Sequence, residues 1–454
     1  MRSLVLRPLT GLLAALLLLS TAAPPALGQK APGRQGTFAI TNARLVTVSD
    51  GVIENGTLVV RADTIAALGA NVAVPSDAEV IDATDHAVYP GLIDGGTRLG
   101  LVEVGSLSET RDYAEIGEIT PQMEALTAVN PNSVSIPVTR VSGVTTVIAE
   151  PTGGLLPGTA ALIDLHGYTP EQMLHGNGAM GSAEMVVLDF PSTGRRGRFD
   201  QRSQEEIETA ADEALAKLNE VWDQAELYAE IDAARTASGD GSRMPEYVPA
   251  MDAMLPVVRD GAPLLVKASS AADITAALEW ASGRGLTGQM ILSGAQEGWR
   301  VADQIAEAGV PVVTGPVLSI PSRQSDRYDT AYANAGRLHA AGVTVALRTG
   351  EAENVRNLPF HAGFAAAYGE AEGFGREEAL RAVTLTAAEV FGVSESLGSL
   401  EVGKQANLFV ATGDPFETAT QVRYLFIDGY NIPVESRHSK LYDEFLNRNP
   451  GRTD

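Results

Sequence analysis

Between residues 144 and 349 the chain keeps returning to short, continuous apolar runs. They are VTTVIA (144–149), AALIDL (160–165), EMVVLDF (184–190), PLLVKA (263–268), QMILSG (289–294), PVVTG (311–315) and VTVALRT (343–349). Helical segments separate the later ones. Ala271–Gly283 carries Ile274, Leu278 and Ala281 near helical spacing, and the charged run Gln204–Arg235 carries Ile207, Leu215, Leu218, Val221 and Trp222. Uninterrupted apolar strands followed by helices are the pattern of parallel strands covered on both faces. About eight such units over roughly 300 residues predict an α/β fold, a (β/α)8 TIM-like barrel in preference to an open sheet.

The two ends read differently. Residues 37–90 offer FAITNARLVTV, SDGVIENG, TLVVRA and AEVIDA, alternating strands with Asp-Gly and Asn-Gly as hairpin turns. Residues 400–437 return to that style with ANLFVATG and QVRYLFIDG. A small composite β-sandwich built from both termini is expected. The expected division is 29–90 and 396–437 for the sandwich, 91–395 for the barrel, and 438–454, with Asn449-Pro450, as a loose tail.

Residues 1–28 carry Arg2 and Arg7, then the leucine-rich run Gly11–Leu19, Pro24-Pro25, and small residues up to Gly28. That is the layout of a secretion signal, and the apolar run is about half the ~20 residues of a membrane span. A periplasmic or secreted product without a later membrane span is expected. Removing the segment deletes two arginines and no acid, so an already acidic chain, with formal charge -24, becomes more so. Such a surface repels phosphate backbones, which excludes a general nucleic-acid binder. The chain has no cysteine, so disulfides, thiolate metal sites and a cysteine nucleophile are all excluded. Any metal would depend on nitrogen and oxygen ligands, with six histidines to share.

At VYPGLID (88–94), followed by GVTTV (143–147), VADQIAEAGVPVVTGP (301–316) and ALRAVTLTAAEVFGVSESLGSLEVGKQANLFV (379–410), the chain resembles the amidohydrolase superfamily. It is most similar to exported members akin to imidazolonepropionase, and the likeness runs over 37–437. The resemblance implies a barrel beside a β-sandwich and a hydrolase of non-peptide carbon–nitrogen bonds in cyclic amides. It also implies a zinc-type centre at the barrel mouth: a His-x-His pair ending the first strand, further histidines on middle strands, and an aspartate ending the last. Side chains two apart on a strand share a face and can reach one ion.

Those ligands are replaced. The two His-x-His positions are Gly96 and Arg98, the fifth-strand position is Lys267, the sixth falls near Ser293-Gly294, and the last-strand aspartate aligns with Gly350, beside Glu351. Glycine has no donor atom and arginine is permanently cationic, so no bound metal is expected. A carboxylated lysine bridging two metals, the superfamily's other use of lysine, would end the fourth strand and need histidines around it. The six histidines match no ligand spacing and read as surface or capping residues. Serines without a histidine nearby in sequence give no triad, and Gly153-Gly154 and Gly176-x-Gly178 are weak phosphate signals.

Arg98, Lys267 and Arg348 are expected to converge where the metal would sit, with Glu103, Glu150 and Glu351 as possible neutralising partners. Two arrangements follow: a salt-bridge plug, or a pocket gripping a small anionic ligand. Pro316, Pro321 and Arg323 belong to a loop that either lines the mouth or serves as a rigid connector. Two functions stay open. One is a catalytically retired amidohydrolase acting as a binding protein or partner subunit, in a homo-oligomer or with an intact relative. The other is an active hydrolase with a non-standard or metal-free site.

Overall fold

The structure is a computed structural model that describes residues 33–176, 184–194, 201–238, 247–321 and 323–448. The export segment 1–28, Gly178 and Asn449-Pro450 lie outside the described residues.

Strands β1 (Thr37–Val46), β2 (Val52–Arg61), β3 (Thr64–Gly69), β4 (Glu79–Asp82) and β5 (Ala87–Pro90) open the chain. Eight strands follow as a second sheet, and β14 (Leu408–Ala411), β15 (Val422–Ile427) and β16 (Tyr430–Ile432) return to the first. The join is antiparallel, β5 against β14, with Pro90 opposite Leu408 and Ala87 opposite Ala411. Alternation decides what each face covers. Val88, Leu408, Val410 and Phe426 point into a core of the sheet's own with Phe38, Ile40 and Leu58. Tyr89, Phe409, Leu425 and Ile427 point the other way, onto the barrel. Asp50-Gly51 makes the expected turn between β1 and β2, but Asn55-Gly56 lies inside β2. There Asn55 adopts φ 51 and the β1–β2 register shifts. A Cβ at Gly56 would come within 2.7 Å of Leu45, so this glycine makes room for a core side chain instead of a turn.

The barrel strands are β6 (Leu92–Thr97), β7 (Val144–Ala149), β8 (Gly158–Asp164), β9 (Glu184–Asp189), β10 (Leu264–Ala268), β11 (Met290–Gly294), β12 (Val312–Thr314) and β13 (Val345–Leu347), in that order. A parallel bridge from Thr97 to Gly350 brings the last strand back to the first. Ile93, Ile148, Leu162, Val187, Leu265, Ile291, Val313 and Ala346 fill the interior, and the helix Leu385–Val390 with Phe391 floors it. Outside, Trp222 of the long helix Gln204–Ser238 packs edge-on against Trp280, ring centroids 5.0 Å apart.

One strand departs from the all-parallel reading. β8 runs antiparallel to both β7 and β9. The reason is in the connection: only residues 150–157 join β7 to β8, without a helix. A parallel return needs a crossover of about a dozen residues or more. The segment after residue 437, expected as loose tail, begins with a helix, Arg437–Leu446, capped by Ser436. No described helix is long and apolar enough to cross a membrane.

Candidate functional site at the barrel mouth

The strand tips place Arg98, Glu150, Asp189, Lys267, Ser293 and Arg348 at one end of the barrel. At the centre, the Arg348 guanidinium forks onto Glu150: Nη1 donates to Oε2 at 3.2 Å and Nη2 to Oε1, while Nη1 also reaches Ser293 Oγ. Both partners are almost removed from water, Glu150 at 3% exposure and Arg348 at 6%. Lys267 Nζ lies 3.7 Å from Glu150 and 3.6 Å from Asp189. Burial opposes the charge on Glu150, but Arg348 and Lys267 together outweigh it and hold the carboxyl below its ordinary value. Nearer the rim, Arg98 pairs with Glu351 at 2.7 Å and lies 4.5 Å over the Tyr113 ring. Each of the three cations therefore has a carboxylate partner from the chain itself.

Gly96 explains the packing. A Cβ built there would meet Arg348 Cζ at 2.9 Å, so the guanidinium occupies the space that a side chain at position 96 would claim. Gly96→Ala is expected to destabilise the protein by about 1–3 kcal/mol through overpacking. The penalty should vanish in an Arg348→Ala background, as a double-mutant cycle by urea denaturation would measure. Equal penalties in both backgrounds would mean that the two positions do not compete for space.

Beneath the site, Asp94 is buried and accepts hydrogen bonds from the Gly96 and Thr349 amides, at 3.0 and 3.1 Å, and from the Thr349 hydroxyl. Burial pushes its carboxyl up to about 6 against those donors. Asp94 thus ties the first strand to the last.

The residues present do not fit a divalent ion. Two of the aligned positions are glycine, two are cationic and one falls at Ser293-Gly294, and no trio of histidine or carboxylate side chains is placed to hold a metal among the described residues. Lys267 sits on the fifth barrel strand among carboxylates, not the fourth among imidazoles.

Of the residues expected here, Arg98, Lys267, Arg348, Glu150 and Glu351 come together. Glu103 does not; it is exposed on the loop after β6 and accepts from Asn130 at 3.0 Å. Arg323 turns aside to Glu297, 2.6 Å away, and Gly153-Gly154 pack against the 114–118 loop. Asp189, Ser293 and Asp94 were missed as partners. Asp189 could have been found, because it closes EMVVLD as Glu150 follows VTTVIA. It also borders a cavity of about 590 Å³ lined by Leu155, Ile207, Ala211, Glu118 and Lys217.

The histidines need a larger correction, since His166, His175 and His361 are buried. His361 Nδ1 accepts from the Val317 amide at 3.2 Å, and burial pushes the ring down to about 4. His166 packs on Tyr430, ring centroids 4.5 Å apart. His175 lies 2.9 Å from Ser396 Oγ, so a serine does have a histidine partner despite 221 residues of separation.

Residues 264–432 match the amidohydrolase family model. No curated protein sequence gives a significant match. Among solved structures, an amidohydrolase from Thermotoga maritima MSB8 is 23% identical with a TM-score of 0.74, over 87% of this chain and 99% of that one. Molinate hydrolase is 16% identical with a TM-score of 0.51, over 92% and 99% of the two chains. A Xaa-Pro dipeptidase with methionine in its active site is 17% identical with a TM-score of 0.50, over 87% and 99%. At these identities the structures speak for the fold, and the family match speaks for the segment that it covers. The barrel beside a composite sheet domain is the fold of these structures, and over residues 264–432 the chain carries the amidohydrolase family pattern.

Proposed function

We propose that this protein is a catalytically retired amidohydrolase of the imidazolonepropionase-like branch, exported to the periplasm, whose role is that of a partner subunit. By ancestry it is a hydrolase of non-peptide carbon–nitrogen bonds. The observation that carries the reading is Arg348, whose guanidinium fills the space above Gly96 and is forked onto a buried glutamate. A fixed cation at that point opposes the binding of a divalent ion. The pairing of Arg98, Lys267 and Arg348 with Glu351, Asp189 and Glu150 favours a plug over a pocket for a small anion. A partner role draws support from the mouth loops. After β6 they expose Val104, Leu107 and a fully exposed Ile116, and after β12 they expose Ile320. Apolar side chains gathered on one end suit contact with another subunit, either a second copy or an intact relative.

The test is elemental analysis of chain produced with zinc supplied, alongside hydrolysis of cyclic amides with and without chelator. Zinc far below stoichiometric and no chelator-sensitive turnover are expected. About one zinc per chain, with hydrolysis lost on chelation, would overturn the reading. A second reading, a hydrolase with a metal-free site, is favoured by one observation: the contacts joining Ser396, His175 and Asp164.

A further inference from the structure

The reversed strand β8 delivers Asp164 to the floor of the barrel, the end opposite the mouth. There Thr146 Oγ1 and Asn407 Nδ2 each donate to Asp164 Oδ1 at 2.7 Å. The other oxygen, Oδ2, meets His175 Nδ1 at 2.8 Å. His175 is pinned beside the same strand by its amide, which donates to the Leu162 carbonyl at 2.9 Å. Its Nε2 faces Ser396 Oγ at 2.9 Å. Ser396 follows the floor helix and is only half-buried, whereas Asp164 and His175 are buried. Carboxylate, imidazole and hydroxyl thus stand in line, drawn from segments far apart in sequence.

The chemistry follows from the two ring nitrogens. A carboxylate that accepts from Nδ1–H fixes the neutral imidazole in the tautomer whose bare Nε2 can accept the serine proton. Ser396 Oγ also has a second acceptor, the Val393 carbonyl at 3.0 Å. With neutral His175, the hydroxyl donates to Nε2 and the oxygen is activated. With the imidazolium, Nε2–H donates to Oγ, the hydroxyl turns to Val393, and the nucleophile is off. The charged and titratable groups bearing on His175 are Asp164 on β8 and Asp428 on the β15–β16 turn; Gln405 and Asn407, from the lead-in to β14, are neutral. Burial pulls the imidazole down, but the two carboxylates outweigh it and raise its pKa above the ordinary value.

We infer that Ser396, His175 and Asp164 form a metal-free nucleophilic site for small activated esters, separate from the barrel mouth. Ser396 Oγ bonds to the acyl carbon as its proton passes to His175 Nε2. The carbon–oxygen bond to the leaving group breaks, and that group departs as the phenol, taking the proton back from His175 Nε2. Water then cleaves the acyl-serine with His175 as base, releasing the carboxylic acid and restoring the hydroxyl. A small alkyl fluorophosphonate stops at the first stage: the Oγ–P bond forms, the P–F bond breaks and fluoride leaves. Ser396 is the catalytic nucleophile, His175 the base, and Asp164 a positioning residue.

The full-length chain is treated with that fluorophosphonate, and separately with p-nitrophenyl acetate, across about pH 5 to 9, with intact-mass and peptide mapping. The expected result is a single adduct on Ser396, formed at a rate that rises through one titration above the ordinary imidazole value. Ser396→Ala should abolish it, and Asp164→Asn should slow it by up to about 10⁴-fold by favouring the wrong tautomer. Melting curves check that each variant is folded, and Ser396→Ala alone decides the matter if Asp164→Asn is not. Absence of adduct at the alkaline end on folded wild-type chain overturns the inference. So does an adduct that persists in Ser396→Ala, or a rate that does not change with pH. Zinc content does not enter this test, so the site can fail without touching the reading of the mouth, and the reverse holds as well.

Discussion

Glu150→Gln is expected to cost about 3–5 kcal/mol of stability, a large effect for a single exchange, because it strands a buried guanidinium. Arg348 keeps the Ser293 hydroxyl but loses the carboxylate it forks onto, and Lys267 is left with Asp189. Water cannot compensate at 6% exposure. The double exchange Glu150→Leu with Arg348→Met removes both charges together and should lose far less, since a buried pair replaced by apolar side chains of similar size is often close to neutral. Urea denaturation of wild type, single and double variants measures the difference. If the double variant is as damaged as the single one, Glu150 and Arg348 do not form the energetic unit that their geometry indicates.

The second large effect is a loss of stability as pH rises. Asp428, on the turn joining β15 to β16, lies near Asp164, and burial followed by repulsion from that carboxylate pushes it up to about 8. In the unfolded chain it reverts to the ordinary aspartate value of 3.8. Between those values the folded state holds a proton that the unfolded state has released, so the slope of stability with pH is negative there. His175 adds to it with the same sign. Its folded value is raised, so its contribution is complete below the ordinary imidazole value and fades as pH climbs through the raised one. Together they should weaken the junction of barrel and sheet domain by on the order of a few kcal/mol between about pH 5 and 9. Asp428→Asn keeps the acceptor oxygen used by Gln405 while removing the charge, and should flatten the curve. A curve of unchanged slope in that variant would show that Asp428 does not set it.

How much of this was open to sequence reasoning depends on what fixes a side chain's direction. At strand tips the two-residue repeat fixes it, so Gly96, Arg98, Lys267 and Arg348 were legible as a group once the strands were found. Glu103 was not, because beyond the end of β6 the chain is a loop whose hydrogen bonds, not its spacing, aim each residue. The Ser396–His175 contact was invisible for a different reason: separation along the chain says nothing about two segments that meet only when the floor closes. β8 was legible in principle. The brevity of EPTGGLLP between two apolar runs forbids a parallel crossover, but the general barrel rhythm obscured that local limit. Asn55-Gly56 misled in the opposite way, since its glycine serves Leu45 across the sheet and not a reversal of the chain.

Because β8 enters where its neighbours leave, its closing residue is withdrawn from the reactive rim and spent on the base. A variant library targeted to the usual rim positions would pass over Asp164, while its loss would register in the docking of the terminal sheet. Conversely, the mouth end of β8 is Gly158 and Thr159, paired with Val187 and Val186, and Thr159 is held there by the backbone carbonyls of Met123 and Pro121. Inverting one stave has thereby divided the molecule's chemistry between two ends that can change independently.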